Sequence, residues 1–231
     1  MNQEEEKQLS GKRSGGQVIF IALLCVCFHV SAQDNPDVTM SQYLFPSFYS
    51  SQVKMKSGSV STAIANYNTL TGKMVFMKDN EPYSMTVTSL VDTVTIAGRK
   101  FVPGNDVFYE VLVNAPVSLF IQHKSTLERL GAPSGYGGRS QTSAIDRMDV
   151  LTDGDHFYNL KIPEDYKVSP SQVFWICKDH HMLSFLNKRQ LLKIFPDQKD
   201  KLEQFIKQNR LKTDDPEDMI KLVDYCNEIM P

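Results

Sequence analysis

Apolar and polar side chains take turns along most of residues 52–123. Val53 and Met55 flank Lys54, while Val60, Thr62 and Ile64 share a face against Ser61, Ala63 and Ala65. Met74 and Phe76 alternate with Val75 and Met77, Met85 and Val87 with Thr86 and Thr88, and Val94 and Ile96 with Thr93 and Thr95. Val107, Tyr109, Val111 and Val113 alternate with Phe108, Glu110 and Leu112, and Val117, Leu119 and Ile121 with Ser118, Phe120 and Gln122. A period of two sends successive side chains to opposite faces of a strand, so each run can bury one face. A run that is apolar on both faces, such as 107–113, is expected in the middle of the sheet. Turn formers separate the runs: Thr71-Gly72, Asp79-Asn80 before Pro82, Ala97-Gly98, Pro103-Gly104-Asn105-Asp106, and Asn114 with Pro116. Gly and Asn supply positive φ and Pro ends a ladder, so the connections are short and the neighbours antiparallel.

From residue 187 the period lengthens to 3.6. Asn187 can cap a helix carrying Leu191, Leu192, Ile194 and Phe195, which Pro196 breaks. A second helix buries Leu202, Phe205 and Ile206. Asp214-Asp215-Pro216-Glu217 opens a third, with Met219, Leu222, Val223, Cys226 and Ile229 on one stripe. The acidic cap and the Pro in the first turn are a strong start signal. The pattern therefore predicts an α+β fold: an antiparallel β-meander curled into a small barrel or sandwich, with a C-terminal group of about three helices. The β domain spans 52–178, with a glycine-rich loop at 131–143, and the helical tail 179–231 packs on the same domain.

The first 32 residues read differently. Lys7, Lys12 and Arg13 precede a 13-residue apolar run at 18–30, and Val30-Ser31-Ala32 resembles a cleavage site. That is the pattern of a secretory signal peptide. The run is shorter than the roughly 20 residues a spanning helix needs. Cys25 and Cys27 lie inside it without the small preceding residues that a lipid-modified cysteine requires. Export to the periplasm or cell envelope is the expectation, with no transmembrane segment left after cleavage. The formal net charge of the whole chain is −2. That gives no basic excess, which argues against a nucleic-acid partner and against an anionic membrane surface.

Candidate chemistry is sparse. The lead-in 33–51 carries Tyr43, Phe45, Phe48 and Tyr49 within seven residues. It is expected to pack across the sheet, the alternative being an exposed aromatic platform. The stretch GAPSGYGGRSQTS can turn backbone N–H groups toward an anion, and Tyr136, Gly137, Gly138 and Arg139 are its candidate ligand-binding residues. It lacks the Gly-Lys-Ser/Thr of a phosphate-binding loop, and a surface loop explains it equally. Asp153-Gly154 reads as a hairpin turn. His180 and His181 are weak candidates for a metal. Adjacent residues of a strand face opposite ways, so a third ligand such as His123 or His156 would have to come from elsewhere. Cys177 and Cys226 are the cysteines of the processed chain, and they either form a disulfide or sit as separate buried thiols. No hydrolase elbow or zinc-protease motif occurs, and nothing calls for a cofactor.

Several segments resemble a group of uncharacterised exported proteins of Bacteroidetes-type Gram-negative bacteria. They are Tyr43-Leu44-Phe45-Pro46-Ser47-Phe48, Asn66-Tyr67-Asn68 with Thr71-Gly72, Gly98-Arg99-Lys100-Phe101, Phe108-Tyr109-Glu110 and Tyr136-Gly137-Gly138. The tail adds Leu191 to Phe195, Phe205-Ile206-Lys207 and Leu222-Val223-Asp224-Tyr225. The resemblance implies a periplasmic or envelope location and carries over no catalytic residue. The functional expectation is a non-catalytic binding or structural module with an unknown envelope partner or ligand. The alternatives are a metal-dependent or other hydrolase using His180 and His181 near the glycine-rich loop, and a subunit of an outer-membrane-associated assembly.

Overall fold

The computed structural model describes residues 42–129, 162 and 166–230, all within one compact unit, Val38–Pro231. Ten strands form one antiparallel sheet. They are β1 (Tyr49–Met55), β2 (Val60–Asn68), β3 (Lys73–Lys78), β4 (Glu81–Ser84), β5 (Val91–Ile96), β6 (Arg99–Gly104), β7 (Val107–Val113), β8 (Ser118–Arg129), β9 (Tyr166–Lys178) and β10 (His181–Phe185). Three helices follow: α1 (Lys188–Ile194), α2 (Lys199–Asn209) and α3 (Pro216–Ile229). The strand order is β10-β9-β8-β7-β6-β5-β1-β2-β3-β4. Strands first and helices last was legible in the periodicity. The sheet is open, with β4 and β10 at its edges, so it is not a closed barrel.

The order also departs from a plain meander, because β1 pairs with both β2 and β5. The alternating stretch 85–88 is not a strand. Asp79 and Asn80 adopt φ of 52° and 66°, a tight left-handed turn that pairs Lys78 with Glu81 at once. The partner of β3 is thereby spent on residues 81–84. The same device adds β10 where the sequence suggested the tail had begun. Asp179 and His180, at φ 52° and 64°, turn β9 straight back so that His181 pairs with Lys178. Two positive-φ residues in a two-residue turn match the twist of the flanking strands.

The sheet bends. Backbone hydrogen bonds from Phe108 N–H to Gly72 O (2.8 Å) and from Ser125 N–H to Thr69 O (2.9 Å) tie the β2–β3 connection to β7 and β8. Those strands lie several places away in the sheet, so its two halves must face each other across a concave surface. Gly72 makes the approach possible. Its φ is +71°, and a Cβ there would sit 2.8 Å from Val107 Cγ1. Gly72→Ala is expected to cost about 1–3 kcal/mol through backbone strain and overlap. Urea unfolding checks this, and an unchanged midpoint would contradict the docking.

Two apolar cores line this one face. Phe45, Val53, Ala65, Tyr67, Met74, Val94, Ile96, Phe101 and Phe108 are buried together where the sheet bends. Leu119, Ile121, Phe174, Ile176 and Phe185 are buried under Leu191, Leu192, Leu202, Ile206, Met219, Leu222, Val223 and Cys226 of the helices. The helix starts follow their sequence signals. Asn187 Oδ1 accepts from Gln190 N–H (3.0 Å), and Asp215 Oδ1 accepts from Asp218 N–H with Pro216 in the first turn. Near the far end of α3, Asn227 clamps β8 at its start. Its Oδ1 accepts from Val117 N–H and its Nδ2 donates to Val117 O, both at 2.9 Å.

Candidate functional site

Between the two cores a row of charged groups crosses the concave face. Phe101, Glu110 and Ile121 are cross-strand neighbours on β6, β7 and β8, so their side chains share that face. Arg99 and His123 lie two residues from Phe101 and Ile121, on the same side, and reach Glu110 diagonally. Arg99 Nε donates to Glu110 Oε1 (2.6 Å) and Nη2 to Oε2 (2.5 Å). His123 Nε2 lies 2.6 Å from the same Oε2. A carboxylate only accepts, so a proton on that ring nitrogen satisfies the 2.6 Å contact; the donor-only Arg99 Nη2 lies 2.9 Å from the same nitrogen and calls for the opposite tautomer. The guanidinium carbon of Arg99 lies 5.2 Å and 5.8 Å from the ring centres of Phe45 and Phe101.

Tyr67 closes the cluster from β2. Its ring stacks on Phe101 at 5.6 Å and meets His123 edge-on at 6.0 Å. Its hydroxyl donates to His123 O (2.9 Å), with Phe108 O at 3.3 Å. Burial, with Tyr109 and Glu110 nearby, raises the phenol far above its ordinary value, so it stays a donor. Glu110 is different. Burial pushes its carboxyl up, yet the hydrogen bonds and charges of Arg99 and His123 outweigh that and hold it down at about 2. At neutral pH it is an ionised group with both oxygens taken. Arg99 and His123 engage three of its roughly four lone-pair sites, so the carboxylate braces the sheet.

The aromatic lead-in is held by Asn66, which is fully buried. Its Oδ1 accepts from Phe45 N–H (3.2 Å) and Tyr67 N–H (2.8 Å), and its Nδ2 donates to Phe45 O (2.9 Å) and Ser47 O (2.8 Å). One side chain thus replaces ladder bonds where the lead-in bulges away from β2. Phe45 enters the core, and Tyr43 and Phe48 meet edge-on at 5.1 Å. Among the described residues of the lead-in, Phe45 and its flanking backbone are packed on the sheet, while Tyr49 is 36% exposed.

The candidates singled out in the sequence fare unevenly. Tyr136, Gly137, Gly138 and Arg139 lie outside the described residues, as do His156 and the Asp153-Gly154 hairpin. His180 and His181 sit exposed at the β9–β10 turn, with His181 Nδ1 2.7 Å from Asp179 O. His123 is committed to Glu110, and among the described residues no group of three ligands could hold a metal. Cys177 and Cys226 are both free thiols. Cys226 lies on the buried stripe of α3, and burial pushes its thiol up to about 12. Cys226 is therefore expected to resist alkylation at pH 8 in the folded chain and to react on unfolding, as peptide mass spectrometry would read.

The sequence carried one unused hint of the charged row. Glu110 interrupts a strand that is apolar on both faces, and a buried charge needs a partner. Arg99 and His123 could not be named as those partners before the register was known. The exposed apolar side chains are a second feature. Met182 and Leu183 on the open edge β10 are 38% and 46% exposed, and Leu186 in the β10–α1 turn is 73% exposed. The opposite edge, β4, is blunted by Glu81 and by Pro82, which has no N–H to offer. No helix among the described residues is long and apolar enough to cross a membrane. The fold and site define a mixed α+β protein whose buried carboxylate, Glu110, is paired with Arg99 and His123. Comparison with known protein families, with curated proteins and with solved structures finds no match to this chain.

Proposed function

We propose that the chain is an exported protein of the cell envelope or periplasm and acts as a non-catalytic interaction module. It presents its β10–α1 end to an envelope partner. The observation that carries this reading is the exposure of Met182 and Leu183 on the edge strand β10, which carries no Pro, Lys, Arg, Asp or Glu, and of Leu186 just after it. Folded chains usually protect such an edge with charge, Pro or a covering element, and β4 has two of these protections. The leader pattern at 1–32 and the resemblance to exported bacterial proteins support the location. The closed hydrogen bonding of Arg99, Glu110 and His123 supports a bracing role over a reactive one. A hydrolase at His180 and His181 gains no support from a turn that has no third ligand among the described residues.

We also read the bent sheet as a half-closed sandwich. The hydrogen bonds at Gly72 and Thr69 and the shared core beneath them favour it.

Expression in a Gram-negative host tests the role. The processed chain is expected in the envelope fraction, and Leu183→Lys on β10 is expected to shift it to the soluble pool. An unprocessed chain in the cytoplasm, or a Leu183→Lys variant that fractionates like the parent, would sink the proposal.

A further inference from the structure

The helical tail is electrically divided. Residues 188–212 hold eight Lys and Arg against three Asp and Glu, a net charge of +5. Residues 213–231 hold one Lys against six Asp and Glu, a net charge of −5. The two cancel, which is why the whole-chain balance conceals them. The eight cations are Lys188, Arg189, Lys193, Lys199, Lys201, Lys207, Arg210 and Lys212, and all are exposed. Among the described residues only Lys188 forms an ion pair, with Glu203 at 3.1 Å, a bridge that joins α1 to α2. Lys199 and Lys207 stand four residues either side of Glu203, so they share its stripe of α2 and lie beside Lys188. Exposed cations therefore run from α1 along α2 and outnumber Asp197, Asp200 and Glu203 among them.

It begins where the exposed apolar residues end. Leu186 is two residues before Lys188, and its N–H is held by Gln190 Oε1 of α1 at 2.7 Å. Arg189 follows Leu186 by three positions. The exposed tip of Leu186, with a basic flank beside it, has the two components of interfacial membrane binding. Acyl chains take the apolar side chains, and anionic headgroups take the Lys and Arg.

We infer that the β10–α1 turn and the basic faces of α1 and α2 dock on an anionic phospholipid surface. The inference rests on the proposed interaction role of the same end and names its partner. It also revises the reading that net charge excludes such a surface. Charge complementarity alone would admit an acidic polypeptide. The 73% exposure of Leu186 favours lipid, because a headgroup layer over acyl chains rewards a protruding apolar side chain and a polyanion does not.

Flotation of the full chain with vesicles decides it. Phosphatidylcholine vesicles give the baseline, which includes anything the apolar run at 18–30 contributes. Mixing in phosphatidylglycerol is expected to raise binding well above it, and high salt to remove the gain. Arg189→Glu with Lys193→Glu should reduce the gain by roughly tenfold or more, and Leu186→Ser by about tenfold. Both sites are exposed, and circular dichroism confirms that the variants fold. No gain from phosphatidylglycerol, or a gain that the charge reversals leave intact, overturns the inference. Equal binding to poly-glutamate that Leu186→Ser does not change overturns it in favour of an acidic protein. If the chain still fractionates with the envelope while ignoring anionic vesicles, the inference falls and the proposed role stands.

Discussion

Glu110→Gln should lower the unfolding free energy by about 2 kcal/mol at pH 7 and remove part of the acid sensitivity of the fold. The carboxyl is held at about 2 against an ordinary 4.5. A gap of that size corresponds to roughly 3 kcal/mol of linkage at most. Arg99 is 36% exposed on its side chain, so water screens part of the interaction and the lower figure is expected. The native state holds the proton less tightly than the unfolded chain does. The stabilisation is therefore complete above about pH 4.5 and is lost as the pH falls toward 2. Urea midpoints of parent and variant should differ at pH 7 and converge near pH 2. A constant difference across that range would show that the ionised carboxylate is not what braces β6, β7 and β8.

Asn66→Ala is expected to have a comparable or larger effect, about 3 kcal/mol, with a local signature. The substitution leaves Phe45 N–H, Phe45 O and Ser47 O without their partner inside the protein. Each buried polar group left unpaired costs about 1–3 kcal/mol, less where the segment can swing out to water. The lead-in can do so, and Phe45 would leave the core with it. Hydrogen exchange should then accelerate through residues 42–48 while the helices keep their protection. Uniform loss of protection would mean that Asn66 supports the whole sheet and does not act as a local clamp.

Much of the fold was legible because periodicity records burial directly. The stripe Met219, Leu222, Val223 and Cys226 is buried as expected, and Asn187 and Asp215 cap their helices. What the pattern could not carry was pairing. Nothing in residues 49–55 says that β1 slots between β2 and β5. The alternation at 85–88 is as regular as that in any real strand, yet the turn at Asp79-Asn80 had already assigned the partner of β3. Two charged residues in different strands become neighbours only through register, so Arg99, Glu110 and His123 were visible singly and not as a group. The basic surface was hidden for a different reason: summing charge over the chain discards position.

The clamp between Asn227 and Val117 bears on the order of events at synthesis. It spans 110 positions of chain, so the part of the sheet face under α3 lacks its cover until Asn227 has been made. At about 5–20 residues per second the face centred on Leu119, Ile121 and Phe174 waits several seconds for α3. A chain delivered to a translocation channel during that interval is still threadable. A version stopping at residue 214 should bind a dye for exposed apolar surface, while a chain extending through residue 231 should not.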